Sequence, residues 1–275
     1  MSESVPAAEL MIAHDSETVS LSELSGIEVA AWSRRAPQKE TSNEDAAAIV
    51  SVSHEAAVLA VADGCGGLRA GDQAAAMAVR TLAEQLQPGS LNGRIRPAIL
   101  DAFEIANWKI VDLGIGAATT IAAVEFRTGF MRPYHVGDSM ILVVGRNGKV
   151  KYVSIPHSPV GFAVASGLLD EAEAMHHDER HLVNNVLGDP SMRIELGPTI
   201  ELARYDTVLI ASDGLFDNLF EEEIADGIRK GTLKDGLESL IATARARMEA
   251  PSAETPSKPD DLTAIAFRQL ESPSQ

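Results

Sequence analysis

The sequence predicts an α+β protein in which antiparallel sheets carry helices packed on their outer faces. Runs suited to β-strands come in groups, helical periodicities come in pairs, and no regular strand–helix alternation demands a parallel, doubly wound sheet.

The elements follow in chain order. The first residues, to about 26, are polar and unpatterned and read as a loosely held arm. Strand character begins at Ile27: GIEVAAWS, DAAAIVSVS and EAAVLAVADG are three β-suitable runs with short polar breaks between them. Ala70–Gln87 and Arg94–Leu113 follow as a helix pair; in the first, Ala74, Met77, Ala78, Thr81 and Leu82 recur at spacings of three and four. Strand character returns in AATTIAAVEF, GFMRPYHVGDS and MILVVGRNGKVKYVSI, where Asn147-Gly148 between apolar runs marks a hairpin. From Pro156 to Gly188 the pattern breaks, with a polar, His-rich helix candidate around Asp170–Asn185, and this stretch reads as an inserted flap. RIELGPTIELA and TVLIASDG come next, then two helical segments from Glu221 to Met248, a Pro/Ser-rich loop at Pro251–Pro259 and a last strand, LTAIAFRQL. One domain over residues 27–270, with the flap at about 156–188 and a tail at 271–275, accounts for the pattern. No repeat of fixed period is present.

Composition narrows the function classes. The 23 Lys plus Arg against 40 Asp plus Glu give a formal charge of −17, which argues against a nucleic-acid binder. With 45% hydrophobic and 23% charged residues the chain is an ordinary globular one. A single cysteine cannot close an internal disulfide, so a reducing, cytoplasmic setting is expected. No apolar run approaches the roughly 20 residues that span a bilayer, and MSESVPAAEL has neither the basic nor the apolar region of a secretion signal.

The acidic residues are informative by position. Asn43-Glu44-Asp45, Asp63-Gly64, Gly137-Asp138-Ser139 and Asp213-Gly214 each fall at a strand end, and Asp260-Asp261 stand just before the last strand. A single Asp-Gly is a common turn; five such places point to a site. Carboxylates gathered from distant strands, with a backbone carbonyl freed by a glycine, suit a hard divalent cation such as Mg²⁺ or Mn²⁺. The chain has no zinc-type Cys/His spacing. Two ions about 4 Å apart can share a bridging carboxylate and activate the water between them, and Asp63 is the candidate bridge.

SNEDA, VADGCGG, GAATT, HVGDS, VLG, ASDGLFDNL and PDDLT, in this order, resemble the metal-dependent Ser/Thr protein phosphatase family, protein phosphatase 2C, over about Ile27–Leu270. The resemblance implies a four-layer α-β-β-α sandwich of two antiparallel sheets flanked by helix pairs. It further implies that Asp63 bridges two ions and that the Gly64 carbonyl and Glu44 bind one of them, with Asp45 ligating or holding metal-bound water. Asp213 and Asp260 would bind the other ion; Asp260 holds the first position of the family's Asp-(Asn/Asp)-x-(Thr/Ser) motif and Asp261 the second. Asp138, with Asp213 and Asp217, resembles the site of a third ion in many bacterial members. Asp45 and Asp63 are thereby the catalytic candidates: a hydroxide bridging the metals would attack phosphorus in line, on phosphoserine or phosphothreonine in proteins phosphorylated by a cognate kinase. Two other functions share the same residues, a catalytically weak phosphoprotein-binding module and a hydrolase of small phosphate esters.

The chain departs from the family in four places, one being Met140, which makes Gly-Asp-Ser-Met of the family's Gly-Asp-Ser-Arg and removes a surface cation. Glu40 stands where members usually place an Arg that grips the substrate phosphate, which leaves Lys39 and Arg35 as substitutes. Cys65 follows Asp-Gly where some members have His. His157 in IPHSP is either a proton donor to the leaving alkoxide or a structural, hydrogen-bonded side chain. His176, His177 and His181 read as a solvated face.

Overall fold

A computed structural model describes residues 8–65, 70–87, 91, 94–252 and 254–270. The tail at 271–275, Gly66-Gly67 of the VADGCGG motif and residues 1–7 of the expected arm lie outside the described residues.

Two antiparallel sheets stack face to face. The first contains β1 (Ala8–Ile12), β4 (Ala46–Ser53), β5 (Ala56–Ala62), β6 (Ile121–Arg127), β7 (Phe130–Val136) and the short β10 (Glu195–Leu196) in that order, and β11 (Ile200–Glu201) also pairs with β7. The second runs β2 (Ser20–Leu24), β3 (Ile27–Arg34), β13 (Leu262–Gln269), β12 (Thr207–Ala211), β8 (Met140–Val144) and β9 (Val150–Val153).

The central strands are buried on both faces, which explains their unbroken apolar text. In β5, Val58, Ala60 and Ala62 face a helix layer of α1 (Gly71–Gln85) and α2 (Ile95–Val111), while Ala57, Leu59 and Val61 face the other sheet. In β12, Val208 and Ile210 point between the sheets, and Leu209 and Ala211 point to a second helix layer. That layer is built from α5 (Asp213–Phe216), α6 (Glu221–Ile228) and α7 (Leu233–Glu249). The result is the expected α-β-β-α order. Phe126 and Phe267 meet edge to face across the inter-sheet core at 5.8 Å between centroids. Burying a side chain of that size contributes about 2 kcal/mol.

Asn147-Gly148 forms the expected turn between β8 and β9, with Gly148 at φ 85° and the Gly145 amide donating to the Lys149 carbonyl at 2.9 Å. Two readings of the sequence need correction. Ala8–Ile12 and Ser20–Leu24, expected to lie in a loose arm, are edge strands paired with β4 and β3. An edge strand buries little and tolerates polar residues, so Ser20, Ser22 and Glu23 concealed it. The helix expected over Asp170–Asn185 is confined to α4 (Glu171–Met175), preceded by α3 (Pro159–Ala165). A capping box starts α4: the Glu173 amide donates to Asp170 Oδ1 at 2.7 Å and the Asp170 amide to Glu173 Oε2 at 3.0 Å. At its end the Arg180 guanidinium donates to the Met175 carbonyl. Among the described residues no helix is long and apolar enough to cross a membrane.

Candidate metal centre

Strand register gathers the acidic positions. Ala46 pairs with Ala62, so Asp45, just before β4, and Asp63, just after β5, leave the first sheet at one end. Ala211 pairs with both Met140 and Ala264, which puts the residues before β8, after β12 and before β13 at one end of the second sheet. Asp138, Asp213 and Asp260 occupy those places. The two ends meet, because Ser212 Oγ donates to Asp45 Oδ2 at 2.8 Å.

Two glycines permit this closeness. A Cβ on Gly214 would stand 2.0 Å from the Asp261 carbonyl oxygen, and one on Gly64 would stand 2.5 Å from the Gly71 backbone and 2.7 Å from the Glu44 carbonyl oxygen. Neither position can carry a side chain without moving the strands that bring the carboxylates together. Thr119 Oγ1 and the Thr120 amide donate to the Asp63 carbonyl at 2.8 and 2.9 Å, which fixes the Asp63 backbone while leaving its carboxylate to the site.

The electrostatics are those of crowded acids. Burial first, then Asp45, Asp213, Asp260 and Asp138, push the Asp63 carboxyl well above the usual range. Burial and then Asp261 do the same to Asp45, and the Ser212 hydroxyl works in the opposite direction. Burial with Asp213 raises Asp138 to about 8, Asp260 to about 7 and Asp217 to about 6. Carboxylates so placed either hold protons or hold cations.

Two lysines answer this charge. Lys39 Nζ donates at 2.6 Å to both Glu44 Oε2 and Asp261 Oδ2. Lys258 Nζ donates to Asp213 Oδ2 and stands 2.7 Å from Asp217 Oδ2 and 3.4 Å from Asp260 Oδ2. Burial acts to lower each ammonium, yet these carboxylates hold both above the ordinary lysine value. Arg35, the other candidate phosphate grip, turns its guanidinium to Asp15 at 3.2 Å and to the Thr41 carbonyl at 3.2 Å.

The residues fit hard divalent ions. Every candidate donor is an oxygen, and Asp45 Oδ1 and Asp213 Oδ1 are buried without a hydrogen-bond partner. Among the described residues no three His, Cys, Asp or Glu side chains close a ligand set unaided. An octahedral ion that keeps several waters needs only one or two carboxylates to hold it. Glu44, Asp45, Asp63 and the Gly64 carbonyl would serve one ion, and Asp63, Asp213 and Asp260 a second.

Residues near the site divide by chemistry. Burial, first, and His135 push the His157 imidazole down to about 4, so the ring is neutral at physiological pH. Its Nδ1 accepts from the Gly137 amide at 3.1 Å and lies 2.8 Å from Asn185 Nδ2, which holds the turn that carries Asp138. This is a structural role. Burial and the neighbouring carboxylates raise the Cys65 thiol to about 12, leaving it protonated and a poor nucleophile. Sequence reasoning missed Ser212, Lys258 and the part played by Asp261, whose buried carboxylate also accepts from the Ala36 and Glu44 amides at 2.7 Å each. Lys258, two residues before Asp260, offered a signal by proximity alone.

Ser212→Ala leaves Asp45 Oδ2 without this hydroxyl and removes the acceptor of the Thr263 amide, 3.0 Å away. The expected cost is about 1–2 kcal/mol in stability. Metal affinity should fall roughly tenfold, as on loss of other groups that orient ligands. Calorimetric Mn²⁺ titration and thermal melting check both; unchanged affinity would separate Ser212 from the metal centre.

An inter-sheet cluster of carboxylates in an α-β-β-α sandwich is suited to divalent cations. The protein phosphatase 2C family model matches residues 34–251, and the chain belongs to that family, homologous to metal-dependent Ser/Thr phosphatases. A serine/threonine phosphatase, stp, of Listeria welshimeri is 28% identical over 223 residues, covering 74% of this chain and 84% of that protein. The solved serine/threonine phosphatase of S. agalactiae has 28% identity and a TM-score of 0.76, covering 89% of this chain and all of that one. The catalytic domain of the protein phosphatase PstP, solved with 2 manganese ions, has a TM-score of 0.69 over 89% of this chain and 99% of that one. At 22% identity it speaks for the fold alone.

Proposed function

We propose that this chain hydrolyses phosphoserine and phosphothreonine esters in proteins at the carboxylate centre, with two Mg²⁺ or Mn²⁺ ions. The carrying observation is that strand register brings Asp45 and Asp63 to one end of the first sheet and Asp138, Asp213 and Asp260 to one end of the second, and that Ser212 joins the two ends. Bound there, divalent ions would supply Lewis-acid charge to the phosphoryl oxygens and lower the pKa of water.

The chain's own residues do the rest. Asp63 and Asp45 would present oxygens to the ions, and Ser212 fixes the orientation of Asp45. Lys39, paired with Glu44 and Asp261, holds positive charge beside the candidate ligands. His157 holds the Asp138 turn through the Gly137 amide. A cleft of about 830 Å³ between α3, α4 and the second sheet opens beside Asp138, Asp213 and Asp217. It gives chain flanking a phosphorylated residue a place to lie, and the kinase that writes such phosphates is the partner this reading requires.

Phosphate release from a phosphothreonine peptide is the test. Millimolar Mn²⁺ should give turnover and EDTA should stop it. Mn²⁺ binding without turnover would replace the enzyme by a phosphoprotein-binding module, and turnover of a small phosphate ester alone would make it a small-molecule hydrolase.

A further inference from the structure

The acidic centre is asymmetric in how its lysines are built in. Lys39 reaches one candidate metal ligand, Glu44, and otherwise rests on Asp261. Lys258 places its ammonium among three carboxylates of one corner, those of Asp213, Asp217 and Asp260. Its backbone is clamped as well. The fully buried Asn218 accepts from the Lys258 amide at 2.8 Å, and its Nδ2 donates to the Lys258 and Gly214 carbonyls, each at 2.9 Å. Pro259 follows and stiffens the approach to Asp260. An exposed lysine loses rotamer entropy when it pairs; here the main chain is fixed, and only the four-carbon stem has to be ordered.

We propose that Lys258 is a resident cation of the corner formed by Asp138, Asp213, Asp217 and Asp260, and that its ammonium takes the place of a third divalent ion. The inference rests on the two-ion reading given above. A divalent ion entering between Asp138, Asp213 and Asp217 would compete with Lys258 for Asp213 Oδ2 and Asp217 Oδ2. It would meet the Lys258 ammonium at close range, where like charges repel. The centre therefore fills with two ions.

The test counts ions. Wild type, K258M, K258Q and K258R are purified with Mn²⁺, stripped, and titrated with Mn²⁺ in a calorimeter, with metal content confirmed by mass spectrometry after desalting. Two ions are expected for wild type and K258R and three for K258M and K258Q, with the third lost again in a K258M/D217N double variant. Melting in EDTA at pH 7.5 is the second readout: K258M and K258Q should melt below wild type, K258R close to it, and Mn²⁺ should restore the first two. Three ions in wild type, or two in every variant, would overturn the assignment while leaving the two-ion hydrolase standing. Failure of wild type to bind Mn²⁺ at all would remove both.

Discussion

Asp63→Asn abolishes metal-dependent phosphate release and leaves the metal-free protein at least as stable as the parent. The loss should reach about 10³-fold or more, since on the two-ion reading losing a carboxylate that would hold the ions takes away transition-state stabilisation worth about 4 kcal/mol. Stability goes the other way because the Asp63 carboxylate is penalised where it stands. Burial disfavours its charge, and Asp45, Asp213, Asp260 and Asp138 add repulsion. The amide is nearly isosteric and uncharged. The contacts that position residue 63 are made by its backbone, to Thr119 and Thr120, and the substitution keeps them. Phosphopeptide kinetics, Mn²⁺ calorimetry and melting in EDTA separate the outcomes. Activity within tenfold of the parent would remove Asp63 from the centre, whereas lost activity with a lower EDTA melting temperature would mean structural damage.

The main features of the fold could be read from the sequence where local pattern and final burial agree. Strands such as β5 are apolar throughout because both faces are covered, and Asn147-Gly148 needs no tertiary partner to turn. The carboxylates that gather stood out because each stands beside a strand end, so that the register of β4 with β5 and of β12 with β8 and β13 was enough to bring them together. What escaped depended on long-range pairing. Missing β1 and β2 hid the segment between them, and with it Asp15, to which Arg35 turns; a phosphate grip inferred from nearness in sequence is spent on a surface ion pair. Asp261 shows no sign in sequence that it ties Ala36, Lys39 and Glu44 to the start of β13. Lys258 meets Asp213 and Asp217 across some 40 residues only because Asn218 clamps it there.

Stripped of metal, the protein loses stability as pH rises from 6.5 to 8, and Mn²⁺ cancels or reverses that slope. An aspartate is ordinarily ionised above pH 4, so the unfolded chain has released these protons throughout the interval. The folded centre has not: Asp138 is raised to about 8 and Asp260 to about 7, and Asp45 and Asp63 are also well above their usual range, burial being the first cause in each. A folded state that binds more protons than the unfolded one weakens as protons become scarce. Below 6.5 the opposing effect enters, since burial depresses both His135 and His157 and the unfolded chain can then gain protons that the folded one refuses. Above 6.5 that counterweight fades, and by pH 8 the carboxylates act almost alone. Each proton retained across the interval costs about 2 kcal/mol by its end, or roughly 4–8 °C in melting temperature, and the cluster titrates as a unit rather than as separate residues. Divalent ions replace those protons, so their affinity grows as pH rises and the loaded protein gains what the stripped one loses. Calorimetric melting at pH 6.5, 7.25 and 8, in EDTA and in Mn²⁺, measures both slopes. A melting temperature in EDTA that climbs with pH would mean that these carboxylates are already ionised in the folded protein, with Lys39 and Lys258 sufficient to balance them.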